Sequence, residues 1–230
     1  MKTSDYFFDL PPSLIAQTPG EKRGEDLLLV IDRKTGKYID SNFQNFPNFV
    51  EPSSLIVIND TKVRKARVYA FSDTGSKVEF LFTEAVSDTI WRAIASKSKK
   101  QKIGKKYFFY TNSGNLFCTA TIIAESNDNN RESSIKEILF DIPIDESFFL
   151  NCGHIPLPPY IKREDNMDDE ERYQTIYAKE YGSMAAPTAG LHITEQTFEK
   201  LKEKNVEIVK IIRHLYYNGR KKKKKHIQWV

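Results

Sequence analysis

The stretch "KVEFLFTEA", Lys77 to Ala85, decides the fold. Its apolar residues alternate with polar ones, as on a strand with one buried face. On its far side "TIWRAIAS" (Thr89–Ser96), "KKYFFYTN" (Lys105–Asn112), "LFCTATIIAE" (Leu116–Glu125) and "KEILFDIP" (Lys136–Pro143) share that texture. Turn signals at Thr74-Gly75, Gly104, Asn112-Ser113-Gly114 and Asn127–Asn130 separate the runs. Short strands so closely spaced predict a small antiparallel barrel or sandwich, here assigned to 66–150.

The flanks read differently. "PPSLIAQT" suits a short helical turn, and "EDLLLVIDRKTGKYID" reads as strand, turn at Thr35-Gly36, strand. "SSLIVIND" is a continuous apolar run, so Leu55–Ile58 is expected to be a buried core strand. "DDEERYQTIYAKEYG" predicts a helix with acids in its first turn and Tyr173 and Tyr177 on one face. "TEQTFEKLKEKN" predicts a second helix capped by Thr194, and "VEIVKIIRH" a buried strand. The fold class is therefore mixed α/β. A discontinuous α/β domain (1–65 and 151–214) carries an inserted small antiparallel β-domain (66–150), and an atypical basic tail (215–230) follows.

Composition is that of a globular chain, 40% hydrophobic and 29% charged. The net charge of +4 becomes −2 once the six cations of Arg220–Lys225 are set aside, so overall basicity is no argument for nucleic acid. No apolar run is long enough to span a bilayer, and the first residues mix acids and prolines, unlike a signal peptide. A cytoplasmic location without membrane contact is expected. Cys118 and Cys152 are read as buried small hydrophobes, with no disulfide framework and no zinc spacing.

Four clusters are candidates for chemistry. "IAQTPGEKR" (Ile15–Arg23) is a turn set by Pro19 and Gly20, and reads as an ordinary loop. "NDTKVRKARV" (Asn59–Val68) puts Asp60 and Thr61 at the C-terminal end of a strand, the edge where ligands bind open α/β sheets. Asp60 is either a turn-closing residue or a base. "GHIPLPPYI" (Gly153–Ile161) is a stiff connector that either presents Tyr160 or is merely pinned by it. "MAAPTAGLHIT" (Met184–Thr194) is a small-residue loop feeding a helix start. Its His192 is either structural or a proton donor and acceptor near neutral pH. Six lysines in Lys97–Lys106 form either a solvated hairpin loop or a phosphate-contacting patch.

"IAQTP…R", "NDTKV…AR", "G…IPLPPYI", "ERYQTIYA" and "GSMAAPTAGLHIT" occur in one order. With them the chain resembles, from Met1 to about His214, the S-adenosylmethionine:tRNA ribosyltransferase-isomerase family of the queuosine pathway. The resemblance implies an α/β domain with an inserted β-barrel. It also implies transfer and isomerisation of the ribosyl part of S-adenosylmethionine onto 7-aminomethyl-7-deazaguanine at the tRNA wobble position. The products are epoxyqueuosine, adenine and methionine, and no metal is needed. On this basis His192 and Asp60 are acid–base candidates, and Pro187, Thr188, Ala189, Gly190 and Thr61 line the co-substrate pocket. Arg67, Tyr160, Tyr173, Tyr177, Lys99 and Lys100 are candidates for the tRNA anticodon loop, with a monomer favoured. Family members continue past a histidine matching His214 into a "GxGTF" segment, whereas here "LYYNGRKKKKKHIQWV" follows. The expectation is a truncated chain, marginally stable and of weak or no activity by itself, its lysine run suggesting a slipped reading frame. The alternatives are a non-catalytic tRNA- or RNA-binding module and an inert truncated product.

Overall fold

The computed structural model describes residues 2–126 and 135–213. The expected turn at Asn127–Asn130, the matching His214 and the basic tail lie outside the described residues. In chain order the strands are β1 (Leu27–Ile31), β2 (Tyr38–Asn42), β3 (Leu55–Asn59), β4 (Thr61–Val63), β5 (Arg67–Ser72), β6 (Lys77–Ala85) and β7 (Ile90–Ala95). They continue with β8 (Lys106–Tyr110), β9 (Leu116–Ser126), β10 (Ile135–Phe140), β11 (Gly153–His154), β12 (Glu180–Ser183) and β13 (Glu207–Ile211). The α-helices are α1 (Glu146–Cys152), α2 (Met167–Arg172) and α3 (Glu195–Glu203).

Strands β5-β6-β7-β10-β9-β8 pair antiparallel in that order, and β5 also pairs with β8, so six strands close into a barrel. Closure leaves the barrel strands no free edge. Alternation in β6 sends Val78, Phe80 and Phe82 inward, where they meet Tyr107, Phe109, Ile138 and Phe140. Helix α1 supplies the plug. Asp145 caps it, accepting from the Ser147 N–H at 2.9 Å, and Phe148 and Phe149 are fully buried. Both rings meet Phe82 edge-on, at 5.7 and 5.8 Å. Each buried ring contributes about 1.5–3 kcal/mol by burial, and such ring pairs roughly 0.5–1.5 kcal/mol more. Both cysteines are buried, and desolvation pushes both thiols up, Cys152 to about 11. They pack as the small hydrophobes expected.

Outside the barrel the described residues form three two-stranded sheets: the β1–β2 hairpin, the parallel pair β3–β13 and the parallel pair β4–β12. The fold is thus mixed α/β with an inserted antiparallel barrel. Helix α3 begins as the sequence predicts, with Thr194 and Thr197 forming a reciprocal cap.

Three expectations need correction. Only Ile58 of β3 is buried, while Leu55 and Val57 are 55% and 54% exposed. An apolar run implies two covered faces. Here one face packs on Phe43 and Ile193, and among the described residues β13 is the one strand beside β3. Strand β13 is likewise only half-buried. The third correction is the helix expected over "DDEERYQTIYAKEYG", which ends at Arg172. Gln174 then bonds both backbone groups of Val63, accepting at 2.9 Å and donating at 2.8 Å, and draws the chain toward β4. The aromatic and β-branched residues that follow suit the extended path into β12. Tyr173 and Tyr177 therefore share no helix face.

Candidate active site

Asp60 links β3 to β4 at the C-terminal edge of the parallel pair β3–β13. Its N–H donates to the Ile211 carbonyl at 3.1 Å, and its own carbonyl accepts from Lys179 N–H at 2.8 Å. Asn59 tightens the edge, with its side chain donating to Arg213 O and accepting from Arg213 N–H, each at 2.9 Å. So clamped, Asp60 is 7% exposed, and its Oδ1 is buried with no hydrogen-bond partner among the described residues. A buried acceptor of this kind costs free energy until a donor reaches it. Thr61, fully buried in β4, turns its hydroxyl to Glu180 O at 3.5 Å.

The turn Thr188–His192 follows Pro187 and packs closely against Tyr177 at Gly190. A Cβ at Gly190 would stand 2.1 Å from the Tyr177 hydroxyl and 2.9 Å from Thr175 Cγ2. Glycine is required here by that close approach. The room it makes holds Tyr177, whose ring packs on Phe198 at 5.7 Å. Burial raises the Tyr177 hydroxyl above its ordinary pKa; Thr175 and Arg23 oppose the rise, and the Asp60 carboxylate adds to it. Arg23 and Asp60 thus both act on the Tyr177 hydroxyl, the group that a Cβ at Gly190 would meet.

At the end of the turn, His192 Nδ1 lies 2.8 Å from Asp26 Oδ2, and its ring tilts against Phe43 at 5.3 Å. The imidazole is 41% exposed. An Nδ1–H donated to the carboxylate leaves the Nε2 lone pair as the free proton-handling atom. Arg23 fixes the backbone beside it, donating to Leu191 O at 2.7 Å and to Glu171 O at 3.1 Å. Burial first, and the neighbouring Arg172 second, pull the Arg23 guanidinium below its usual value. Gly24, at φ +88°, lets this loop pass α3, since a Cβ there would meet Thr194 Cγ2 at 2.8 Å.

Asp60, Thr61, Tyr177 and the turn Pro187–His192, with Thr188 and Ala189 in it, are thus gathered in the α/β part. Tyr173 stands against the same loop: its hydroxyl meets the Ala186 backbone, and burial pushes it up to about 12. Tyr160 is half exposed, and its carbonyl accepts from Gln17 at 3.1 Å. Arg67 lies on barrel strand β5, donating to Leu157 O at 3.2 Å and lying 3.3 Å from Glu79. Lys99 and Lys100 sit on the exposed turn between β7 and β8, in the barrel.

Asp26 went unread in the sequence because its partner is 166 positions away and no motif contains both. A second imidazole–carboxylate pair, His154 Nδ1 to Asp165 Oδ1 at 3.2 Å, was also missed; it pins β11 beside Tyr69. Burial opposes ionisation of Asp165, yet bonds from His154 and the Ile155 N–H hold its carboxyl below the ordinary value. Among the described residues no group of His, Cys, Asp or Glu could hold a metal, and no helix is long and apolar enough to cross a membrane.

The family described as "Queuosine biosynthesis protein" matches residues 3–226. The S-adenosylmethionine:tRNA ribosyltransferase-isomerase of Treponema denticola is 42% identical over 218 residues, covering 94% of this chain and 61% of that protein. Its namesake in Borreliella afzelii is 40% identical over 216 residues, covering 94% and 59%. A crystal structure of S-adenosylmethionine tRNA ribosyltransferase from Thermotoga maritima is 26% identical, with a TM-score of 0.35, covering 90% of this chain and 57% of that one. The chain spans about three fifths of the length of the curated relatives it matches.

Proposed function

This chain belongs to the queuosine biosynthesis protein family, and from that premise we propose that it serves the S-adenosylmethionine:tRNA ribosyltransferase-isomerase reaction. The ribosyl group would pass to 7-aminomethyl-7-deazaguanine at the wobble position of tRNA and rearrange to the epoxycyclopentane, with adenine and methionine leaving. The carrying observation is the pairing of His192 with Asp26 beside the Tyr177–Gly190 contact and the unpaired Asp60 oxygen.

Each requirement of that chemistry has a candidate group. The sulfonium acidifies the adjacent 5′ hydrogens, and His192 Nε2 is the atom to take one and later return a proton to the departing adenine. Asp26 holds the imidazole in the tautomer this needs. Asp60 Oδ1 accepts a hydrogen bond from a ligand hydroxyl or amine, which relieves the cost of its burial. Pro187–Gly190 and Thr61 are the residues assigned to the nucleoside. The wobble base leaves its stack and lies against an aromatic ring, for which exposed Tyr160 is better suited than partly buried Tyr173.

The test is incubation of the chain with S-adenosylmethionine and precursor-bearing tRNA, with adenine release as the readout. His192→Ala is expected to lower release about 10²–10⁴-fold. Turnover unchanged by His192→Ala removes the imidazole from the chemistry. A non-catalytic RNA-binding role is the second reading, favoured by the six exposed lysines of Lys97–Lys106. It predicts salt-sensitive tRNA retention with no S-adenosylmethionine binding.

A further inference from the structure

One sequence cluster is left almost unused by the site above: Gln17–Glu21, in the loop read from sequence as ordinary. It faces the α2 segment across a cleft of about 380 Å³, within the range of small-molecule pockets. The walls are held in place. Gln17 accepts from the Lys162 N–H at 2.8 Å, and Arg163 donates to Gln17 O at 2.8 Å and to both Asp169 oxygens at 2.6 and 2.8 Å. Arg172 donates to Gly20 O at 2.8 Å, tying the rims together.

Arg163 and Asp169 satisfy each other. Glu21, Asp168 and Glu171 also line the cleft and make no ion pair among the described residues. Arg172 lines it too, with donors beyond the one given to Gly20. Four carboxylates against two guanidiniums leave the lining two charges negative. That balance repels phosphates and suits a ligand with one carboxylate and a surplus of positive charge. Arg23 joins the cleft to the imidazole, because it bonds Glu171 O on one side and Leu191 O, next to His192, on the other.

We propose that this cleft receives the zwitterionic α-amino-acid end of a sulfonium nucleoside, Arg172 binding the carboxylate and Asp168 and Glu171 the ammonium. The inference rests on the S-adenosylmethionine reading above and specifies which surface holds the end of the co-substrate that leaves as methionine. An ammonium, a sulfonium and one carboxylate carry the charge pattern that the lining complements.

The experiment titrates the full chain with L-methionine, followed by calorimetry and amide chemical shifts. 3-(Methylthio)propylamine, which lacks the carboxylate, and 4-(methylthio)butanoate, which lacks the ammonium, are the comparison probes. L-Methionine is expected to shift Gly20, Glu171 and Arg172, with each analogue binding about tenfold or more weakly, the loss of one charge-assisted contact. Glu171→Gln and Asp168→Asn should weaken L-methionine, and Arg172→Ala should bring it level with 3-(methylthio)propylamine. Arg172 also holds Gly20, so the acid variants and the analogues serve as tests that leave that tie intact. Equal binding of all three probes, no saturable binding, or shifts confined elsewhere would overturn the proposal. Adenine release with an unchanged KM for S-adenosylmethionine in both acid variants would sink the cleft and leave the transfer reading standing. L-Methionine bound in the cleft of a chain that releases no adenine supports the cleft and counts against the transfer.

Discussion

The barrel and the α/β part solve the same packing problem in opposite ways. The barrel closes six strands around an aromatic core plugged by Phe148 and Phe149. The α/β part has, among the described residues, three separate two-stranded sheets and leaves Leu27, Leu29, Ile31 and Tyr38 exposed on its hairpin. Its order comes from polar clamps that span the chain: Gln174 on Val63, Arg23 on Leu191, Arg163 on Asp169, Asp26 on His192. The acid–base candidates, His192 and Asp60, and the carboxylate of Asp26 lie in this second part. A dense core leaves no space for a ligand, whereas directional bonds can hold side chains around one.

The largest effect expected from this contrast is in the barrel. Phe148→Ala should cost about 3–5 kcal/mol in denaturant unfolding, as removal of a buried ring does. A cost under about 1 kcal/mol would mean that the plug does not hold the barrel together. Next comes a clamp. The Arg163 bonds hold the Asp169 carboxyl below its ordinary value. This contribution is therefore fully present above the unfolded carboxylate pKa of about 3.9 and is lost as pH falls through the lower folded value. Asp169→Asn should remove about 1.5–3 kcal/mol at neutral pH and flatten the acid limb of the stability profile. An unaltered acid limb would place the pair outside the clamps.

A smaller effect is expected at the turn itself. Gly190→Ala should cost about 1–3 kcal/mol by overpacking against Tyr177. Tyr177→Phe in that background should recover part of the loss, because the hydroxyl is the nearest atom. Absence of any recovery would move the strain to Thr175. The smallest effect belongs to the open face: Leu27, 92% exposed, should tolerate Leu27→Ala within about 0.5 kcal/mol. A larger loss would show that the hairpin's outer face is covered in solution.

Alternation every second residue, broken by Gly and Asn turns, made the antiparallel strands legible but left barrel and sandwich open, since strands of both have an inside and an outside. Thr194 was readable as a cap because its partner Thr197 is three residues away. The end of the helix at Arg172 is not legible locally, because Gln174 reaches Val63, 111 positions back. Local periodicity carries no trace of such a bond.

Chain-local rules thus settled the short antiparallel strands, the hairpin and the capped helix, where each decisive contact lies within a few residues or repeats along a strand; closure into a barrel came from β5 meeting β8. Tertiary structure alone decided which apolar residues of β3 and β13 are covered, that Asp60 is buried with an unpaired oxygen, and that Asp26 reaches His192. The physical reason is distance along the chain. Burial and side-chain pairing depend on what the fold brings alongside, and a single sequence specifies spacing without specifying neighbours.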